Sequence, residues 1–131
     1  MYICTNNIMA KKVKKAGDEQ LIDVIVQGMQ EVKATNIVVM DLREIESAVA
    51  NYFVIATGNS STQVEAISNS VDRFTEENLD DSPRRIEGKR NAKWILMDYF
   101  TVLVHIFDEE TRTFYNLEQL WGDAKFTRIE E

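Results

Sequence analysis

Trp94-Ile95-Leu96-Met97-Asp98-Tyr99-Phe100-Thr101-Val102-Leu103-Val104-His105-Ile106-Phe107 reads as two strands joined by a tight turn. The first run closes at Asp98, the turn takes Tyr99, Phe100 and Thr101, and the second run opens at Val102. Both runs are rich in β-branched and aromatic residues, which suit a pleated, half-buried surface. Each is apolar on both faces, the pattern of strands in the middle of a sheet covered by helices. Because side chains alternate along a strand, Trp94, Leu96 and Asp98 share one face, and Ile95 and Met97 the other. Tyr99 falls in the turn, where full burial is difficult. A ring exposed beside a carboxylate would suit a basic partner, since large rings that are half apolar and half polar anchor interfaces. A core tryptophan and a turn tyrosine account for the same residues equally well.

Working outward, residues 1–16 carry Lys11, Lys12, Lys14 and Lys15 without apolar periodicity. They are expected to be a disordered basic leader, within which Met9 offers a second start. Asp18 predicts the cap of a helix running to about Lys33, with Ile22, Ile25, Met29 and Val32 at helical spacing. Gly28 weakens that helix by about 1 kcal/mol relative to alanine, which points to close packing there. Strands follow at 37–40 and 52–57. Gly58-Asn59-Ser60 ends the second, and Ser60 with Gln63 makes a capping box in which the Gln63 side chain returns to the Ser60 N–H. The helix it opens keeps Val64, Ile67, Val71 and Phe74 on one face and ends near Leu79. Residues 84–88 read as a short edge strand, Asp108 to Thr111 as the cap of a last helical segment through Trp121, and 122–131 as a polar, frayed tail. The expected fold is α/β (α+β): one domain over 17–121, with a mixed sheet of about five strands and flanking helices.

Charge narrows the partners. The 131 residues carry a net −7, and the four leader lysines conceal a remainder of 11 basic against 22 acidic side chains, or −11. A domain that acidic is poorly suited to coat a nucleic-acid backbone and better suited to a basic protein, although acidity also serves solubility alone. No run approaches the roughly 20 apolar residues needed to cross a bilayer. A single cysteine, Cys4, gives no internal disulfide and fits a cytoplasmic location.

Three further groups invite chemistry. Gly58, Asn59 and Ser60 stand at a strand-to-helix junction that could attract an anion, but the junction lacks the lysine and second glycine of a P-loop. Nor do paired carboxylates follow to hold magnesium. His105 has no second histidine or cysteine to complete a metal site and reads as a core residue with a hydrogen bond. Arg84, Arg85, Lys89, Arg90 and Lys93 form a basic patch, read as a solvated loop with phosphate contact as the alternative. No cofactor is called for.

Asn51-Tyr52-Phe53-Val54-Ile55-Ala56-Thr57-Gly58-Asn59-Ser60, Glu87-Gly88, Trp94 to Tyr99, Val102 to Phe107, Arg112 to Tyr115 and Leu117 to Trp121, in this order and spacing, resemble the ribosomal silencing factor RsfS, or Iojap-related, family. The resemblance departs at Asn51, where aspartate is frequent, and at Phe100, where many relatives have glycine. It implies a nucleotidyltransferase-like fold without catalytic carboxylates, and a protein that is not an enzyme. The implied partner is ribosomal protein fourteen of the large subunit, met through Trp94, Leu96, Asp98 and Tyr99. Binding there would block joining of the small subunit when nutrients are scarce. A homodimer competing for the same face and a minor contact to rRNA are also implied. The rival reading is a nucleotide-binding or nucleotidyltransferase-type enzyme centred on the Gly58–Ser60 turn; a third is a dimeric adaptor with no ribosomal role.

Overall fold

The computed structural model describes residues 17–129; the basic leader lies outside them. Helix α1 (Asp18–Glu31) leads into strands β1 (Thr35–Asp41) and β2 (Tyr52–Gly58), then helix α2 (Ser61–Leu79). Strands β3 (Arg85–Glu87), β4 (Trp94–Asp98) and β5 (Val102–Asp108) follow, then the short helices α3 (Glu109–Tyr115) and α4 (Leu117–Leu120) and strand β6 (Lys125–Arg128). The sheet runs β3-β4-β5-β2-β1-β6. Among the described residues only the central β2–β5 pair is parallel, joined by the crossover through α2; the other pairs are antiparallel. The mixed α+β sheet is therefore as expected, with one strand more. That strand comes from the segment expected to fray: Lys125 to Arg128 pair with β1, although all four are exposed. Their alternation carries no strong apolar signal; backbone pairing places them, with Lys125 reaching Glu44 at 3.1 Å and Arg128 reaching Glu118 at 3.6 Å.

The quoted stretch forms its hairpin at the expected residues, with β5 inside the sheet and Asp98 opposite Leu103. One face carries Ile95, Met97, Val104 and Ile106, all fully buried under α1 and α2. Burying a side chain of this size is worth about 1.5–3 kcal/mol, so this layer accounts for much of the core. Gly28 lets the two helices close: a Cβ there would stand 3.0 Å from the Val71 Cα, and Ser70 Oγ donates to the Gly28 carbonyl at 2.7 Å. The opposite face gathers Val38, Met40, Phe53, Ile55 and Phe107 beneath the 42–51 loop and Leu117.

Two helix boundaries differ from expectation. Gly17 is the N-cap of α1, without a side-chain cap. Asp18 instead accepts from Thr101 Oγ1 at 2.6 Å and Asn51 Nδ2 at 3.3 Å, tying the helix start to the β4–β5 turn. The last helical segment is two helices, broken where Asn116 adopts a left-handed conformation with φ 46°.

Candidate partner-binding site

On the second face the cover is incomplete. Trp94, Leu96 and Leu103 are only half-buried, beside fully enclosed neighbours. Their alignment follows from register, since Trp94 pairs with Phe107, Leu96 with His105 and Asp98 with Leu103. The Trp94 indole is fixed by its N–H, which donates to His105 Nδ1 at 3.1 Å. His105 is in turn enclosed by Phe53 at 4.5 Å and Phe107 at 6.1 Å between ring centroids. With Nδ1 accepting, the neutral ring carries its proton on Nε2, and Nε2 meets no partner among the described residues. Burial pushes the imidazole pKa down to about 3. A neutral ring wedged among apolar ones is a structural post; the core reading of His105 holds.

Asp98 and Tyr99 are not the exposed pair that the turn suggested. Asp98 is 4% exposed; its carboxylate accepts from Arg84 Nη2 at 2.8 Å and the Phe100 N–H at 2.8 Å, with Arg85 at 3.8 Å. Burial opposes its ionisation, but those hydrogen bonds and the two guanidinium charges together hold its carboxyl below the usual range. Tyr99 is 7% exposed and shares a 2.9 Å hydrogen bond with Thr75 of α2, and burial pushes its phenol up. The physical reason is parity: Tyr99 continues the 95, 97 alternation onto the face that α2 covers.

The residue that the turn does expose is Phe100. It is 68% exposed at φ 85°, with the Arg84 guanidinium 4.5 Å from its ring centroid. Asp98 thus serves by holding both Arg84 and the Phe100 N–H. Trp94, Leu96 and Leu103 are the half-buried residues of the second face, and Phe100 stands exposed at the turn that follows Asp98, with His105, Asp98 and Tyr99 enclosed. Leu103 was not marked by the sequence, whose run reads as apolar on both faces.

At the other candidate, Ser60 caps α2 by accepting from the Gln63 N–H at 3.1 Å. The Gln63 side chain returns to the N–H of Asn59, one residue earlier than expected, and its amide donates to the Val32 and Lys33 carbonyls. A Cβ on Gly58 would come within 2.9 Å of Val64. The Gly58–Asn59–Ser60 turn thus caps α2, with the Asn59 and Gln63 N–H groups taken by the chain's own side chains. In the basic patch, Arg84 and Arg85 face Asp98 and Glu87, and Lys89 donates to Asn69. Among the described residues no group of three or more His, Cys, Asp or Glu could hold a metal ion, and no helix is long and apolar enough to cross a membrane.

The family model described as "Ribosomal silencing factor during starvation" matches residues 15–131. The chain belongs to this ribosomal silencing factor family. It is 35% identical over 113 residues to ribosomal silencing factor RsfS of Halalkalibacterium halodurans, covering 86% of this chain and 95% of that one. To the Bacillus subtilis protein of the same name it is 35% identical over 112 residues, covering 86% and 93%. A crystal structure of a Chromobacterium violaceum protein is similar at a TM-score of 0.77 and 26% identity, covering 88% of this chain and 95% of that one.

Within this silencing-factor chain one further residue organises the site's flank. Arg112 of α3 pairs with Glu118 of α4 through Nε at 3.3 Å and Nη2 at 3.2 Å. It also donates to Thr57 Oγ1 at 2.8 Å and to the Asn36 carbonyl. One planar fork thus ties both short helices to β1 and β2. No local pattern distinguishes it from a solvated helix arginine, because its partners lie 6, 55 and 76 residues away.

Proposed function

We propose that this chain represses translation by binding the large ribosomal subunit through ribosomal protein fourteen and standing where the small subunit would join. The reading is supported by one observation above all. The thinly covered side chains of Trp94, Leu96, Leu103 and Phe100 stand on a hairpin whose Trp94 indole and Phe100 N–H are fixed by hydrogen bonds to His105 and Asp98, as anchors should be. Family membership supplies the ribosomal context, and the acidic body favours encounter with a basic protein. The mechanism is steric: about 800 Å² per partner is enough for a specific interface, and no bond is made or broken. A homodimer through the same patch would compete with the ribosome, and the basic segment around Lys89 to Lys93 would make the minor rRNA contact. Sedimentation of purified subunits tests the reading. The protein should travel with large subunits and reduce the fraction that joins small subunits; joining unaffected at saturating protein would overturn it.

A further inference from the structure

Helix α3 presents a puzzle that the patch around Trp94 leaves unsolved. None of its seven residues is buried, so it adds no side chain to the core. Yet it is anchored by the Arg112 fork to Glu118, Thr57 and Asn36, and capped by Asp108, which accepts from the Thr111 N–H at 2.8 Å. Arg112 is the helix's largely enclosed side chain, 12% exposed, and it serves as the tether, so the rings at the helix's end are held in place while remaining open to solvent. The helix displays Phe114, 79% exposed, and Tyr115, 48% exposed; Leu120 of α4 is 70% exposed. The left-handed turn at Asn116 sets this division, sending Leu117 into the second core while Leu120 remains outside.

These rings are continuous with the patch already described. Tyr115 lies 4.7 Å from Trp94 between ring centroids, and Phe114 meets Tyr115 edge-on at 5.0 Å. Isolated exposed apolar side chains are ordinary, but linked ones rimmed by charge mark interaction sites. The segment that carries these rings is acidic: residues 109–123 contain Glu109, Glu110, Glu118 and Asp123 against Arg112, a net −3, with Glu118 paired to Arg112 and Arg128 and with Lys93 beside Trp94 and Tyr115.

We propose that the partner surface continues from Trp94 across α3 and α4, with Phe114, Tyr115 and Leu120 as a second set of contacts to the same basic protein surface. This rests on the reading of the Trp94 patch as a ribosome-binding face. Arg112 is a positioning residue: it touches no partner but fixes the angle at which the rings are shown.

The test compares full-length wild type, Phe114→Ala/Leu120→Ala and Phe100→Gly by co-sedimentation with purified large subunits, alongside thermal unfolding and sedimentation equilibrium of each protein alone. The double variant should lose at least about tenfold in affinity with its Tm and its own association state unchanged. Wild-type affinity in the double variant, while Phe100→Gly binds weakly, overturns the extension and leaves the Trp94 patch standing. A double variant that loses only self-association assigns the surface to a second copy and also overturns it. If wild type itself fails to sediment with large subunits, the ribosomal reading fails and takes the extension with it.

Discussion

The Trp94 indole N–H donates to His105 Nδ1 at 3.1 Å, so a half-exposed ring is fixed by an imidazole that is 5% exposed. The bond requires the neutral imidazole, and burial keeps it neutral, with a pKa near 3. Above about pH 6.5 the ring is uncharged in both folded and unfolded chains and contributes no pH dependence. Between about 6.5 and 3 only the unfolded chain takes up the proton, so stability falls as pH falls, by up to about 1.4 kcal/mol per unit. The lowered carboxyls of Asp41, Asp98 and Asp108 act in the same sense, losing stability as pH falls, but only at lower pH, near 4 and below. Urea unfolding at pH 7 and pH 5 should therefore show a loss of about 2 kcal/mol in wild type. His105→Phe should show a much smaller loss over that interval, whatever its stability at pH 7.

Phe100 occupies a positive φ of 85°. A non-glycine residue there costs about 1–2 kcal/mol, which Phe100→Gly relieves. Against this stand the added freedom of glycine in the unfolded chain, about 0.5–1 kcal/mol, and the lost Arg84–ring contact, about 0.5–1 kcal/mol at an exposed site. The terms nearly offset, so Tm should move little while affinity for large subunits drops by more than about 1 kcal/mol. Unchanged affinity would remove Phe100 from the contact surface.

Tyr99 separates fold from contact in the other direction. Tyr99→Ala empties a buried ring site and should cost about 3–5 kcal/mol of stability. Tyr99→Phe removes only the hydrogen bond to Thr75, about 1 kcal/mol, and should bind large subunits like wild type. A strong binding defect in Tyr99→Phe with Tm preserved would return the hydroxyl to the interface.

Arg112→Met keeps the aliphatic stem but leaves Glu118, whose side chain is 18% exposed, without its bidentate partner. The expected loss is about 1–3 kcal/mol. A linked effect is weaker binding at 25 °C, because the fork sets how α3 and α4 sit on the sheet. Stability measured by urea unfolding and affinity measured on the same preparation would separate the two.

What the sequence conveyed and what it withheld follow from the range of the interactions. The hairpin from Trp94 to Phe107, the Gly28 contact and the Ser60 cap were legible because strand alternation, helical spacing and capping act over a few residues. The burial of Tyr99 was legible too, had the 95, 97 parity been carried one step into the turn. Asp18 reads as a cap by type, but its carboxylate reaches Thr101, 83 residues away, and no local rule contains that bond. Strand β6 has four exposed residues and depends on distant partners, the edge that β1 offers and the carboxylates of Glu44 and Glu118. The same holds for Arg112, whose role exists only once β1, β2 and α4 are assembled.

The central claim is that this acidic domain works by occupying a surface of the large subunit. Light scattering of purified small and large subunits mixed in magnesium, with increasing protein added to the large subunits first, measures that directly. The account predicts a saturable loss of the joining signal with wild type, and markedly less loss at equal concentration with Phe100→Gly. Joining that proceeds at full amplitude with every large subunit carrying the protein would contradict it.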